Sequence, residues 1–197
     1  MSVIDSTPGG VASNSYETYV EANAYFVDRI PLSPAWVTSG NEAYLLTATR
    51  VLDGLSRPFK TFLPGTPPYY RVRRQWTGAP ATVTQRLAWP RTGMFDANGN
   101  AIPSDVIPQA LKDAESEFAG QLLKGDRTLD NDVIIQGLNS VRAGSVSLGF
   151  NKDIVPQVIP DAVFNLMPVS WLTDELYVPA NVAQFDVVSA SSIVWPE

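Results

Sequence analysis

The chain has 197 residues, of which 45% are hydrophobic, and a formal net charge of −6; that length suits one domain, able to bury about 70% of its unfolded surface. It contains no Cys and no His, which excludes disulfides, thiolate nucleophiles, zinc sites of the Cys/His kind and His general-base chemistry. Residues 1–100 hold nine Lys/Arg against seven Asp/Glu, net +2, and residues 101–197 hold five against thirteen, net −8, so a strongly basic nucleic-acid surface is not the reading to start from.

Residues 1–14 are small and polar, with Pro8, Gly9 and Gly10, and read as a flexible N-terminal arm. Neither a basic region nor an apolar core is present there, so no signal peptide is expected. Thr18 with Glu21 has capping-box spacing and opens a helix to Arg29, with Tyr19, Ala22 and Phe26 on one face. Pro31 and Pro34 stop it. Ser39 to Glu42 reads as a second capping box. The helix it opens runs to about Ser56, with Tyr44, Leu45, Ala48, Val51, Leu52 and Leu55 as its apolar stripe.

Residues 58–104 read as a long Pro-rich loop, a length that is often functional. Within it, Tyr69, Tyr70, Arg71, Arg73, Arg74 and Trp76 interleave aromatics with arginines. That mixture suits a protein interface. It equally suits the stacking of single-stranded bases, or an exposed loop whose arginines pair with the acidic half. Asp96 to Asn100 is a turn, since Asn and Gly accept the positive φ it needs. Pro108 to Lys124 is the best helix. Pro108 suits the first turn, Ser104 and Asp105 are capping candidates, and Gly125 can close it in the left-handed conformation. Leu111, Ala114, Phe118 and Leu122 share one face, leaving Asp113, Glu115 and Glu117 to a solvated one.

Residues 131–150 read as a β-hairpin: Val133 to Ile135 is β-branched, Leu138 to Ser140 can turn, and Val146, Leu148 and Phe150 alternate with small residues after a bulge at Gly144. A lone hairpin is marginal, so it must pack on the helices or on a neighbour. Asp161 to Met167 is a short helix between prolines. Residues 171–197 read as an extended C-terminal arm without an obvious partner in the chain. Its Phe185, Val187, Ile193 and Trp195 would dock on another subunit, or else pair with the hairpin.

These elements imply a mainly α (α+β) fold class. A helical core domain over 15–170 would be a small bundle centred on Phe26, Leu45, Leu52, Leu111, Phe118 and Leu122. No catalytic, metal or cofactor residue is expected. Asp126, Asp130 and Asp132 lack the glycine of a known calcium loop, and the serines have neither a histidine nor a nucleophile elbow. No apolar run is long enough to cross a membrane.

Leu87 to Arg91 (Leu-Ala-Trp-Pro-Arg), the Asp96-x-x-Gly99 turn, Ile107-Pro108 and the helix after it resemble tailed-bacteriophage head–tail connector (adaptor) proteins. Asn14 to Tyr16 with Glu21 to Phe26, and Ile159-Pro160 with Leu166 to Pro168, extend the resemblance over about residues 14–168. Related phage proteins carry the label DnaT-like single-stranded DNA-binding protein. The resemblance implies a structural virion protein assembled in the host cytoplasm. Identical subunits would form a dodecameric ring under the portal protein, bind a tail, nozzle or tail-terminator protein below, and leave a channel for double-stranded DNA. An acidic half is compatible with such a channel, because like charge repels phosphate. The alternatives are a single-stranded DNA-binding protein acting through Tyr69 to Trp76, and a tail-completion or neck protein of the same particle.

Overall fold

The computed structural model describes residues 3–32, 34–37, 39–56, 60–63, 69–72, 74–129, 140–143, 146–149, 157–174 and 176–179. It is a mixed helix–strand protein, with helices α1 (Tyr19–Val27), α2 (Glu42–Asp53), α3 (Gln109–Lys124) and α4 (Asp161–Phe164). The strands are β1 (Lys60–Leu63), β2 (Tyr69–Val72), β3 (Ala79–Pro80), β4 (Arg91–Thr92), β5 (Ser140–Ala143), β6 (Val146–Gly149) and β7 (Leu176–Pro179).

The packing of the helices centres on α3: α1, α2 and α4 each pack on it. Nine of the sixteen residues of α3 are buried, more than one amphipathic face can supply. Leu111, Ala114 and Phe118 meet Leu45, Ala48, Leu52 and Val163 in a core where each of these is fully buried. Leu122 is 3% exposed in the same core. Phe26 lies at its margin rather than inside, half-buried, and stacks on Trp36 with ring centroids 4.3 Å apart. Gly120 permits this approach. A Cβ there would stand 2.7 Å from Leu32 Cδ1 and 2.9 Å from Phe26 Cε1.

The expected solvated face of α3 is also corrected. Glu115 is fully buried and Glu117 is 5% exposed, because the N-terminal segment and α1 cover that side. Arg29 donates to both Glu117 carboxylate oxygens, Nε to Oε2 at 2.5 Å and Nη2 to Oε1 at 2.8 Å. The Tyr25 hydroxyl and the Gln121 amide complete the shell. Burial alone would push the Glu117 carboxyl up, but these donors outweigh it and hold it below the usual carboxylate range.

At the helix ends, the Thr18–Glu21 capping box forms. Ser39 does not cap α2; Asn41 stands at that position, its side chain making no capping bond and its Nδ2 donating instead to the Val37 carbonyl. Pro108, not Ser104 or Asp105, precedes α3, and Gly125 is extended (φ 169°) rather than left-handed. The Asp96 turn is closed by its own carboxylate, which accepts from the Asn98 and Asn100 amides.

Residues 3–14 are not a loose arm. Asp5 and Asn14 exchange hydrogen bonds, with the Asn14 amide donating to the Asp5 carbonyl and the Asp5 amide to Asn14 Oδ1, both at 2.8 Å. The Arg86 amide then donates to the Gly10 carbonyl. The polarity that suggests disorder is used to pair the segment with itself and with 86–91.

The 58–104 stretch is not one loop either. It supplies β1 and β2, and β3 pairs antiparallel with β4 beside the cis peptide Trp89–Pro90. A hairpin is present within 131–150 as β5–β6, but Ser140, expected in the turn, opens β5 and pairs with Gly149. Its Gly144 bulge and Val133 to Ile135 lie outside the described residues.

Candidate functional site

The long connection and the start of the C-terminal arm meet. β2 is the centre of a three-stranded antiparallel sheet in the order β1–β2–β7. Val72 faces Leu176, and four residues further along each strand Trp76 bridges Leu172, so one register runs through both. The Thr173 amide donates to the Gln75 carbonyl and the Thr77 amide to the Trp171 carbonyl in the same ladder. The two chain segments therefore pair as an antiparallel ribbon whose described parts, on either side of residues 73 and 175, share that register.

The base of the ribbon is three tryptophans. Trp76 meets Trp89 edge to face at 5.7 Å, and Trp89 packs on Trp171 at 4.8 Å. Trp76 Nε1 donates to the Leu52 carbonyl at 3.0 Å and Trp171 Nε1 to the Phe95 carbonyl at 2.7 Å, which ties the base to α2 and to the 92–101 turn. Arg91 is 6% exposed. Its guanidinium donates to the carbonyls of Thr77 (2.6 Å), Ala88 (3.1 Å) and Gly78 (2.9 Å). Burial lowers its pKa, and the neutral carbonyl acceptors suit a clamp on the ribbon base more than an anion site. Gly78 is required there. It has φ +67°, and a Cβ would come 2.3 Å from the Thr92 carbonyl oxygen.

The tip is different. Among the described residues, the backbones of β1–β2–β7 and of β5–β6 make no more than a marginal approach to any helix. A two-stranded hairpin alone is marginal in water, and a larger sheet needs a hydrophobic face or a helix packed against it. At the tip Arg71 stands in one row with Thr61 and Tyr177, and Tyr70 in one row with Phe62 and Val178. Tyr69 is opposite Leu63 and Pro179.

The interface residues expected from sequence thus divide. Tyr69, Tyr70 and Arg71 are on the ribbon's central strand, and Arg73 lies outside the described residues. Arg74 is exposed and lies over the Phe164 ring at 5.1 Å. Trp76 is 5% exposed, so it is a core residue and not a contact surface, because its indole is consumed by Leu52 and Trp89. Phe185, Val187, Ile193 and Trp195 lie outside the described residues. Trp171, expected to begin a free arm, is 1% exposed. Sequence reasoning does not group Trp89, Arg91 and Trp171. The available signal is five tryptophans in a chain without a membrane-crossing run, three of which share one centre.

Two further surfaces carry charge. A polar cleft of about 560 Å³ is lined by Asn14, Leu46, Thr49, Arg50, Asp53, Gly54, Arg86 and Leu87. A more open one is lined by Glu21, Ala24, Tyr25, Asp28, Arg29, Gln109 and Asp113. Among the described residues no group of three or more carboxylates is placed to hold a metal ion, and no helix is long and apolar enough to cross a membrane.

No curated protein and no solved structure matches the chain. Residues 1–170 match the profile of one family. The matched span holds the N-terminal segment, the four helices of the described residues and two of the three central tryptophans, Trp76 and Trp89, with Trp171 immediately beyond it. On that match the chain belongs to the family described as "Putative DnaT-like ssDNA binding protein".

Proposed function

We propose that the chain is a structural virion protein: a head–tail connector that forms a ring of identical subunits beneath the portal and joins it to a tail protein. The observation that carries this reading is the ribbon. A rigid base of three buried tryptophans holds a three-stranded sheet out from the helices, with its central strand carrying Tyr69, Tyr70 and Arg71. Such a sheet gains a covered face by packing on another chain. The reading assigns no catalytic step, and it puts the protein in the neck of the particle.

The test is to mix the purified chain with the portal ring of the same particle and weigh the isolated complex by native mass spectrometry. One copy per portal subunit is the expected result. A folded chain that never associates with the portal overturns it.

A second reading, single-stranded DNA binding, is favoured by the family's description and by Arg50 and Arg86 lining one cleft. It predicts affinity for an oligonucleotide that falls steeply with salt. Changing Arg50 and Arg86 to Ala should then flatten that dependence, by about one unit of slope for each phosphate no longer neutralised. An unchanged slope removes the cleft from that role. Changing Arg71, Arg73 and Arg74 to Ala tests the ribbon in the same way.

A further inference from the structure

The N-terminal segment crosses α3 at two buried carboxyl groups. Glu115 is fully buried. Its Oε1 accepts from the Ser15 hydroxyl at 2.8 Å and from the Thr49 hydroxyl, and its Oε2 accepts from the Tyr16 amide at 2.9 Å. Glu17 is 1% exposed and takes one side-chain hydrogen bond, from Ser116 at 2.5 Å. The acids that act on Glu17 are Glu115 and Asp113 from α3 and Glu21 from α1. Asp53 of α2 and Arg91 act on the adjoining Tyr16. Cations nearby are committed elsewhere: Lys112 bonds Glu21, Arg29 bonds Glu117, and Arg91 bonds three carbonyls. Ionising Glu17 beside Glu115 would put two like charges in a buried site with no cation bonded to either among the described residues.

We propose that Glu17 and Glu115 form a proton-operated latch, which clamps the N-terminal segment onto α2 and α3 and opens when both carboxyls ionise. Three donors converge on Glu115, so it is the member suited to carry charge. Glu17, with one donor, keeps the proton. Burial raises both, Glu115 to about 7 and Glu17 to about 9. The folded state therefore holds more protons than the unfolded chain at neutral pH, and clamping weakens as pH rises through these values. The latch also reaches the ribbon. The Tyr16 hydroxyl donates to Asp53 Oδ1 at 3.0 Å, and the same oxygen accepts from the Ala88 amide, next to Trp89.

Hydrogen exchange on the full chain, corrected for intrinsic rates, tests this. From about pH 6 to about pH 10 the protection of the Asn14, Ser15 and Tyr16 amides should fall about tenfold or more while Phe118 keeps its own. In Glu17→Gln, which cannot ionise, the three amides should stay protected. The proposal is overturned if wild-type protection is flat, if Glu17→Gln loses it equally, or if α3 amides open in step. A carbon-13 carboxyl titration of the wild type decides the matter should Glu17→Gln not fold. A Glu17 midpoint below about 7, toward the ordinary value of about 4.3, overturns the latch, and one above about 7 supports it.

Discussion

Phe118 and Trp76 show what a single side chain does here. Phe118 is fully buried on α3, so Phe118→Ala should lose about 3–5 kcal/mol by chemical denaturation; a loss below about 1 kcal/mol would show that the core is not built around it. Trp76→Ala should lose a similar amount, because it removes a buried ring and the donor to Leu52. Arg74→Ala, by contrast, should cost no more than about 1 kcal/mol, as its guanidinium is exposed and only overlies Phe164. If the Trp76 and Arg74 variants both bind a partner poorly, only the arginine result reports on the surface. In the sequence these two residues look alike, members of one arginine–aromatic run. Composition does not reveal that the strand leaves the core between them. Leu45, Leu52, Leu111, Phe118 and Leu122 are legible because helical periodicity aligns them. Glu115 and Glu117 are not. Periodicity assigns one inner face, whereas α3 is covered on more than one side by elements whose placement no local pattern encodes.

At the scale of elements, helices are local and ribbons are not. The prolines and the Thr18–Glu21 box mark helix ends within a few residues of where they form. The ribbon joins residues 69–72 and 75–77 to 176–179 and 171–173, about a hundred positions apart, and a Pro-rich stretch beside an apolar arm carries no sign of that pairing. The structure makes the arm divisible. A chain ending at Asp174 keeps Trp171, Leu172 and Thr173 on the ribbon base and loses only β7 and the residues beyond it. It should retain the cooperative unfolding of the full chain while failing to assemble. A chain ending at Ser170 removes Trp171 from between Trp89 and the Phe95 carbonyl, and should be destabilised by about 3–5 kcal/mol. Thermal melts of both truncations check this. Equal stability of the two would mean that the tryptophan centre does not hold the arm. Gly78→Ala should act in the direction of the shorter truncation, since both the positive φ and the Thr92 carbonyl oppose a side chain at the ribbon base.

For the molecule as a whole, the carboxyls set opposite pH limits. Glu21 and Glu117 are held below their ordinary values by hydrogen bonds that outweigh their burial. Their contribution is complete above about pH 4.3, the unfolded value, and is lost as pH falls through the folded one. Glu17 and Glu115 are raised by burial, so their contribution is complete below about pH 4.3 and is lost progressively as pH climbs through about 7 and about 9. The two trends cross on the acid side. The urea midpoint should therefore peak near about pH 5 and decline toward about pH 9, whereas maximal stability between about pH 5 and 8 is the commoner behaviour. Glu17→Gln should flatten the alkaline decline and leave the acid limb unchanged, because Glu21 and Glu117 keep their partners in that variant. Arg29→Ala should do the reverse. It frees the Glu117 carboxylate from its ion pair, lowers stability at neutral pH and weakens the loss on acidification. Four midpoint series, wild type and the two single variants with their double, separate the limbs. Additive shifts would show that the N-terminal clamp and the Arg29–Glu117 pair act independently on α3, and a wild type with constant stability from about pH 5 to 9 would rule out the buried proton altogether.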